Sequence, residues 1–356
     1  MKNPFKYGTI VKDDYFTDRV EELQVIHRNL ESDNHLVLIS PRRFGKSSLV
    51  FRAVKESGRP CLSLNLQNVI SENDFASKIL RELFHLFPFE RVRHLMTHFR
   101  IVPTISTNPI TNGIDVSFQP SVNSTVLLED VMALLEKVSQ SGRQRLIVVF
   151  DEFQEVMNIR KGLDKQLRSV MQEQQHLNYI LLGSQESMMT EIFERKKSPF
   201  YHFGRLMHLD KIPYDDFMKY IIDRLPVETQ LSENIAKKIL SFTHQHPYYT
   251  QLLSSQVWEL LVYEKVETDT VKQAIKQIVQ EHDLDYERLW LNFNRTDRQV
   301  LQSLSKGVNP LRNRQVASST SFSSIKRLMK VGYVIRTKEY DIEDPFFNEW
   351  IRTCAN

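Results

Sequence analysis

Two short stretches of the chain hold residue types that can bind and break a phosphate anhydride. The first is Ser40-Pro41-Arg42-Arg43-Phe44-Gly45-Lys46-Ser47, followed by Ser48, set between an apolar run and an amphipathic helical pattern. A loop in that context turns successive backbone N–H groups, and the positive end of the next helix, toward a bound phosphate. Lys46 supplies a cation for the β- and γ-phosphates, and the Ser47 hydroxyl can ligate Mg²⁺. The first glycine usual in such a loop is Ser40 here, at a position expected to make a tight turn. The second stretch, Leu146-Ile147-Val148-Val149-Phe150-Asp151-Glu152, is an apolar strand pattern ending in two acids. Carboxylates at the mouth of a buried strand are costly unless a cation meets them. Asp151 suits the water shell of the metal, and Glu152, pointing elsewhere, suits polarising an attacking water. Alone, the first stretch could be a basic turn and the second a helix cap with solvated acids. Together they predict Mg²⁺-dependent binding and hydrolysis of ATP.

Two weaker candidates follow. Tyr179-Ile180-Leu181-Leu182 runs out into Gly183-Ser184-Gln185, where Ser184, with Gln185 second, can reach a γ-phosphate or the attacking water. A plain strand-end turn explains the same residues equally well. Arg205, in His202-Phe203-Gly204-Arg205, can supply transition-state charge to a neighbouring subunit, which would require a homo-oligomer. The alternative is an arginine in a surface ion pair.

The elements that must position these residues are legible from periodicity. Short apolar runs alternate with amphipathic helical patterns over roughly the first 210 residues, the signature of βαβ units and a parallel sheet. Five strands are expected: Leu36 to Ile39, Cys61 to Leu66, Leu146 to Phe150, Tyr179 to Gly183 and Leu206 to Leu209. An extra strand between the two motif strands marks the P-loop branch that hydrolyses ATP with an activated water, which argues against a kinase. Between the second and third strands, Phe89 to Asn123 reads as an inserted β-hairpin arm with a tight turn at Asn112-Gly113. From Pro213 strand signals stop, and helices are expected to begin near Asp215, Ser232, Pro247 and Asp269. A last unit begins at Thr296, where Thr296 and Gln299 could form a capping box, and continues as three helices and a β-wing, a winged-helix pattern. The expected division is an ATP-binding core over 1–211 with its insertion at 89–123, a helical lid over 212–290 and a winged helix over 291–356.

Composition narrows the function classes. The 356 residues are 41% hydrophobic and 26% charged, which is globular and not disordered composition. A net charge of +3 announces no global affinity for nucleic acid. Cys61 and Cys354 lie far apart without metal-ligand spacing, and nothing at the N-terminus resembles a signal peptide. No apolar run approaches the ~20 residues needed to span a bilayer. A cytoplasmic protein without membrane contact is the expectation.

These residues resemble the archaeal-type AAA+ ATPases, related to the signal-transduction ATPases with numerous domains, over nearly the whole chain. The resemblance implies the AAA+ strand order 5-1-4-3-2, ATP or ADP as ligand and Mg²⁺ as cofactor. Asn3-Pro4-Phe5 and Tyr15-Phe16-Thr17-Asp18-Arg19 with Glu21-Glu22-Leu23 look like the adenine-side signature of the family, with Asp18 where glycine is usual. Adenine contact is thereby carried onto Phe16, Thr17 and Arg19. Gln245-His246-Pro247-Tyr248-Tyr249 resembles the GxP motif of the signalling branch, with Gln245 in place of glycine. By that likeness His246 and Pro247 would approach the β-phosphate; the plainer reading is a polar helix start before Pro247. Asp344-Pro345-Phe346-Phe347 with Trp350 and Arg352 looks like the closing segment of the family's winged helix.

In the third helix of that last unit, Ile325, Leu328 and Met329 are expected inward, leaving Lys326, Arg327 and Lys330 outward with Ser323 and Ser324. Such a face can meet duplex DNA, or serve as a contact for an unknown protein partner. Three functions stay open from the residues: a nucleotide-driven conformational or assembly switch, a DNA-associated ATPase resembling initiators or transposition helpers, and a nucleotide-binding scaffold with negligible hydrolysis.

Overall fold

The computed structural model describes residues 2–11, 15–16, 19–99, 103–107, 114–118, 124–142, 144–184, 186–264, 269–312, 318–336 and 339–355. The chain divides into two compact units, one of Arg19–Arg42 and Lys46–Leu209, the other of Met1–Asp18, Arg43–Gly45 and Asp210–Asn356.

The first unit runs α1 (Val20–Glu31), β1 (Leu36–Ile39), α2 (Lys46–Ser57), β2 (Cys61–Asn65), α3 (Glu72–Leu86), α4 (Phe89–Met96), β3 (Pro103–Thr107), β4 (Ile114–Phe118), α5 (Ser124–Gln140), β5 (Leu146–Asp151), α6 (Val156–Ile159), α7 (Leu163–Met171), β6 (Leu177–Gly183), α8 (Glu186–Phe193) and β7 (Arg205–His208). Five strands form one parallel sheet in the order β2-β5-β6-β1-β7. Counting those five alone along the chain, this is the expected order 5-1-4-3-2. Strands β1 and β6 are buried along their whole length, as a sheet with both faces covered by helices requires. Its core joins Ile39, Leu64, Phe75, Phe150, Phe153 and Tyr179 in one cluster.

β1, β5 and β6 end together, so the loop after Ile39, the acids at the end of β5 and the turn after Gly183 share one edge of the sheet. The other edge is held by Arg59, which donates to Leu30 O at 2.5 Å, Arg145 O at 3.0 Å and Asn178 Oδ1 at 2.5 Å. The expected insertion is a helix followed by a hairpin: Phe89–Met96 is α4, because Val92 and Met96 turn one face into the core. β3 and β4 pair antiparallel and Val116 is buried. The turn expected at Asn112-Gly113 lies outside the described residues.

The second unit is α9 (Tyr214–Ile222), α10 (Thr229–Thr243), α11 (Pro247–Glu259), α12 (Thr270–Glu281), α13 (Asp283–Asn292), α14 (Arg295–Ser305), α15 (Ser318–Val331), β8 (Val334–Arg336), β9 (Tyr340–Ile342) and α16 (Pro345–Cys354). One apolar cluster, including Phe5, Phe217, Leu253, Leu301, Ile325, Phe346 and Trp350, runs through it. Asp344 caps α16 by accepting from Phe346 N at 2.8 Å and Phe347 N at 3.1 Å.

Several sequence expectations are corrected here. α14 starts one residue before Thr296 and is capped by Asn294, whose Oδ1 accepts from Asp297 N at 2.9 Å. The capping residue is thus Asn294, not Thr296. α10 begins at Thr229, three residues before Ser232, which is buried within the helix. On α15, Met329 is 37% exposed and Ser324 is 1% exposed, the reverse of the expected faces. The cause is Asp297, buried on α14, which takes the Ser324 hydroxyl and the Arg327 guanidinium, the latter at 2.5 and 3.2 Å. A buried carboxylate needs such donors, and the helix rotates to supply them.

Candidate functional site

The phosphate-loop residues of the first unit are Ser40, Pro41 and Arg42, leaving β1, and Lys46, Ser47 and Ser48, opening α2. Ser40 is 1% exposed; its N–H donates to Gly183 O at 3.3 Å and its hydroxyl to Pro41 O at 3.1 Å. The left-handed residues of the loop are Arg43, at φ 64°, and Gly45, at φ 88°. Ser40 is not among them. The turn therefore places its conformational demand on positions 43 and 45, and a serine at 40 is accommodated.

Lys46 is 6% exposed, and its Nζ donates to Ser40 O at 3.2 Å and Pro41 O at 3.0 Å. An ammonium with flexible donors, folded over its own loop, can exchange carbonyl acceptors for other oxygen acceptors. Ser47 donates its hydroxyl to Asp151 Oδ2 at 2.9 Å, while Asp151 Oδ1 accepts from Glu152 N at the same distance. Asp151 thus faces the loop. Glu152 stands in the left-handed region at φ 53°, ψ 48°, and its carboxylate meets other partners than that of Asp151.

Glu152 meets two donors on one oxygen. Ser184 Oγ donates to Oε2 at 2.6 Å and Gln154 Nε2 donates to the same atom at 2.6 Å. Among the described residues Oε1 takes none. Arg42 Nε stands 3.5 Å from Ser184 Oγ, so Arg42, Ser184, Glu152 and Gln154 form one chain of polar contacts. Gly183, ahead of Ser184, has no room for a side chain: an added Cβ would sit 2.2 Å from Met189 Sδ. The glycine lets the end of β6 lie close against the Met189 side chain of α8.

Gln154 is the residue that sequence reasoning missed. It is fully buried, in a short 3-10 turn after Glu152, between Phe153, also fully buried, and Glu155. An uncharged side chain in Asp151-Glu152-Phe153-Gln154 gives no signal unless the turn is known to bring positions 152 and 154 together.

Other predicted site residues are placed elsewhere or only partly described. Arg205 is exposed and pairs in register with Leu36, at the start of β1, so it stands at the opposite strand ends from Lys46 and Glu152. It does not join the site of its own chain. Arg19 is 4% exposed, at φ 70°, and its guanidinium lies 2.7 Å from Glu22. Phe16 is half-buried, whereas Thr17 and Gln185 lie outside the described residues.

Arg43 and Phe44 pack within the second unit, the guanidinium 4.4 Å from the Tyr248 ring centroid and the Phe44 ring edge-on to His246 at 4.9 Å. His246 is 3% exposed and its Nε2 lies 3.1 Å from Glu343 Oε1, without hydrogen-bond geometry. Glu343 Oε2 also accepts the Tyr249 hydroxyl at 2.8 Å. Pro247 opens α11 at its first position.

A strand, a phosphate loop and a helix, with acids brought to the loop from β5, which β6 separates from β1, define a P-loop ATPase. The family model for ATPase domains found predominantly in Archaea matches residues 16–253, and the chain belongs to that family, an archaeal type of AAA+ ATPase. None of the curated proteins compared with the chain matches it. Among solved structures, the fold is similar to the Walker-type ATPase PABY2304 of Pyrococcus abyssi, at 16% identity and TM-score 0.67, over 98% of this chain and 99% of that one. It is also similar to the ORC2 protein of Aeropyrum pernix, solved with ADPNP and ADP, at 14% identity and TM-score 0.58, over 98% and 96% of the two chains. A third similar fold is the ORC1 protein of Aeropyrum pernix in complex with DNA, at 13% identity and TM-score 0.51, over 98% and 97%.

Proposed function

We propose that the chain is a Mg²⁺-dependent ATPase whose hydrolysis drives a conformational or assembly switch, with Glu152 as the base and Lys46, Ser47 and Asp151 as the phosphate and metal ligands. The observation that carries this reading is the meeting of Ser47, Asp151, Glu152 and Ser184 on one sheet edge within 2.6 to 2.9 Å of their partners.

In this reading Lys46 exchanges the Ser40 and Pro41 carbonyls for β- and γ-phosphate oxygens. The Ser47 hydroxyl and the Asp151 carboxylate are hard oxygen donors and fit a Mg²⁺ that keeps waters and phosphate oxygens in its shell. Bound there, the ion would neutralise charge developing between the β- and γ-phosphates. Glu152, with Oε2 occupied by Ser184 and Gln154, offers Oε1 to the attacking water. Ser184, by the same hydrogen bond, reports the γ-phosphate to the base. Arg205 acts on a neighbouring subunit. The domain limits 1–211, 212–290 and 291–356, a winged-helix character for the last, and adenine contacts by Phe16, Thr17 and Arg19 belong to the same proposal. No described helix is long and apolar enough to cross a membrane.

A second reading is a DNA-associated ATPase, favoured by the exposure of Lys326 and Lys330 on α15 and by a fold like that of a protein solved with DNA. The engagement of Arg327 by Asp297 weakens it, since that cation is partly spent within the unit. The deciding experiment measures ATP turnover with and without duplex DNA, together with light-scattering mass in ADP and in a non-hydrolysable ATP analogue. A nucleotide-dependent mass or shape without DNA stimulation supports the switch. Stimulation by DNA supports the second reading, and tight ATP binding with no turnover would leave only a scaffold.

A further inference from the structure

Two helices of the second unit present apolar side chains to solvent in matching pairs. On α13, Leu284 and Leu291 are 65% and 63% exposed, and on α15, Phe322 and Met329 are 41% and 37% exposed. Single exposed apolar residues are ordinary. Here each pair is spaced i, i+7, so each forms a stripe about two turns, ~10.5 Å, long on one side of its helix.

The charges beside the two stripes are opposite. Residues 281–288 carry Glu281, Asp283, Asp285 and Glu287 against Arg288, whereas α15 carries Lys326, Arg327 and Lys330 and no acid. Asp285 meets Arg288 only at 3.9 Å, with both side chains largely exposed. Lys326 Nζ lies 4.6 Å from the centroid of the Phe322 ring, so cation and apolar stripe share one surface. Arg327 is committed to Asp297, which leaves Lys326 and Lys330 as the outward charges. The inner sides of both helices are already used, Tyr286 of α13 and Ile325 and Leu328 of α15 being buried in the unit's core.

We propose that the acidic apolar face of α13 in one copy docks on the basic apolar face of α15 in a second copy. Leu284 and Leu291 lie along Phe322 and Met329, with an acidic flank of the α13 stripe opposite the Lys326 and Lys330 side of α15. Spacing and charge match between the two faces, and both belong to this chain, which is what singles out a second copy as the occupant. The contact joins unlike faces and so runs head to tail. It supplies a surface for the assembly step proposed above, and ATP affinity measured on the same samples tests the nucleotide site separately.

The test is mass by light scattering and sedimentation across protein concentration, at ~50 mM salt where rim charges are least screened. The parental chain is expected to exceed its single-chain mass of 42.0 kDa in at least one nucleotide state. Lys326→Glu with Lys330→Glu, and separately Asp285→Lys with Glu287→Lys, should each weaken self-association by ~10-fold or more. All four side chains are exposed, so circular dichroism and melting should stay parental. Mixing the two variants should restore a mixed assembly, because the reversed charges again oppose. A parental chain that stays monomeric in every nucleotide state overturns the inference. So do variants that assemble like the parent, or a mixture that recovers nothing. A monomer that binds duplex DNA through Lys326 and Lys330 would assign the face to DNA and equally overturn it.

Discussion

Ser184 donates its hydroxyl to Glu152 Oε2 at 2.6 Å, so the residue proposed to sense the γ-phosphate is tied directly to the acid proposed as base. Gln154 holds the same oxygen from below at 2.6 Å. The acid proposed as base is therefore held by two donors from two different elements, the turn after β6 and the turn after β5.

Glu152→Gln should retain ATP binding and lose turnover by ~10²-fold or more, the usual scale for a positioned base. Ser184→Ala and Gln154→Ala should each lower turnover by ~10-fold with ATP affinity largely kept, because both donate to the Glu152 carboxylate and aim it. Combining either with Glu152→Gln should add little. Full additivity of the losses, measured as kcat, would show that neither residue acts through Glu152.

Lys46→Ala should remove most of the affinity for ATP, read by calorimetry, since its buried ammonium is folded over the loop against the Ser40 and Pro41 carbonyls. Asp151→Asn should spare affinity in the absence of Mg²⁺ and lose the gain that Mg²⁺ brings. Equal Mg²⁺ dependence in parent and variant would remove Asp151 and Ser47 as the metal pair.

Arg205→Ala should lower turnover without changing the ATP affinity of an isolated chain, given its place at the far strand ends. Mixing it with Glu152→Gln should restore activity at the interface that keeps both residues. Mixed oligomers of confirmed mass that show no recovery would exclude a role across subunits.

His35 makes acid stability a specific test of the core. Burial, with Arg168 nearby, lowers its pKa from 6.5 to about 4. Its Nδ1 accepts from Tyr179 N at 3.3 Å and its ring stacks on Phe203 at 4.6 Å, so the neutral ring is the one the fold uses. The unfolded chain binds this proton first, and stability is unaffected above pH ~6.5 and falls by up to ~1.4 kcal/mol per pH unit between there and about pH 4. His35→Gln should flatten that part of the acid limb in urea unfolding measured at each pH. An unchanged limb would place the acid sensitivity elsewhere.

Asp297 tests the packing of the last helices. Arg327→Ala removes two of the contacts to a carboxylate that is 4% exposed, and a cost of ~1 to 3 kcal/mol in unfolding free energy is expected for the underpaired acid. Asp297→Asn should recover part of that loss in the double variant. Failure to recover any would mean that Arg327 contributes by its contact area alone.

The sequence by itself determined the elements whose causes are local. A phosphate loop between an apolar strand and a helix, acids closing the apolar run Leu146 to Phe150, and alternation of strand and helix were legible because periodicity and turn chemistry act over a few residues. The strand order followed from the resemblance those motifs carry. Only the tertiary structure decided the positions that depend on partners distant in sequence. Gln154 joins the site because a 3-10 turn brings it under Glu152 and a buried Phe153 fixes that turn. Ser324 points inward and Met329 outward because Asp297, on another helix, must be given donors once it is buried; apolar periodicity on α15 alone predicts the reverse. His246 faces Glu343, nearly a hundred residues away in the chain, and no local pattern encodes that meeting. Burial of charge is settled by which groups the fold brings together, and that is a property of the packed chain and not of any window of its sequence.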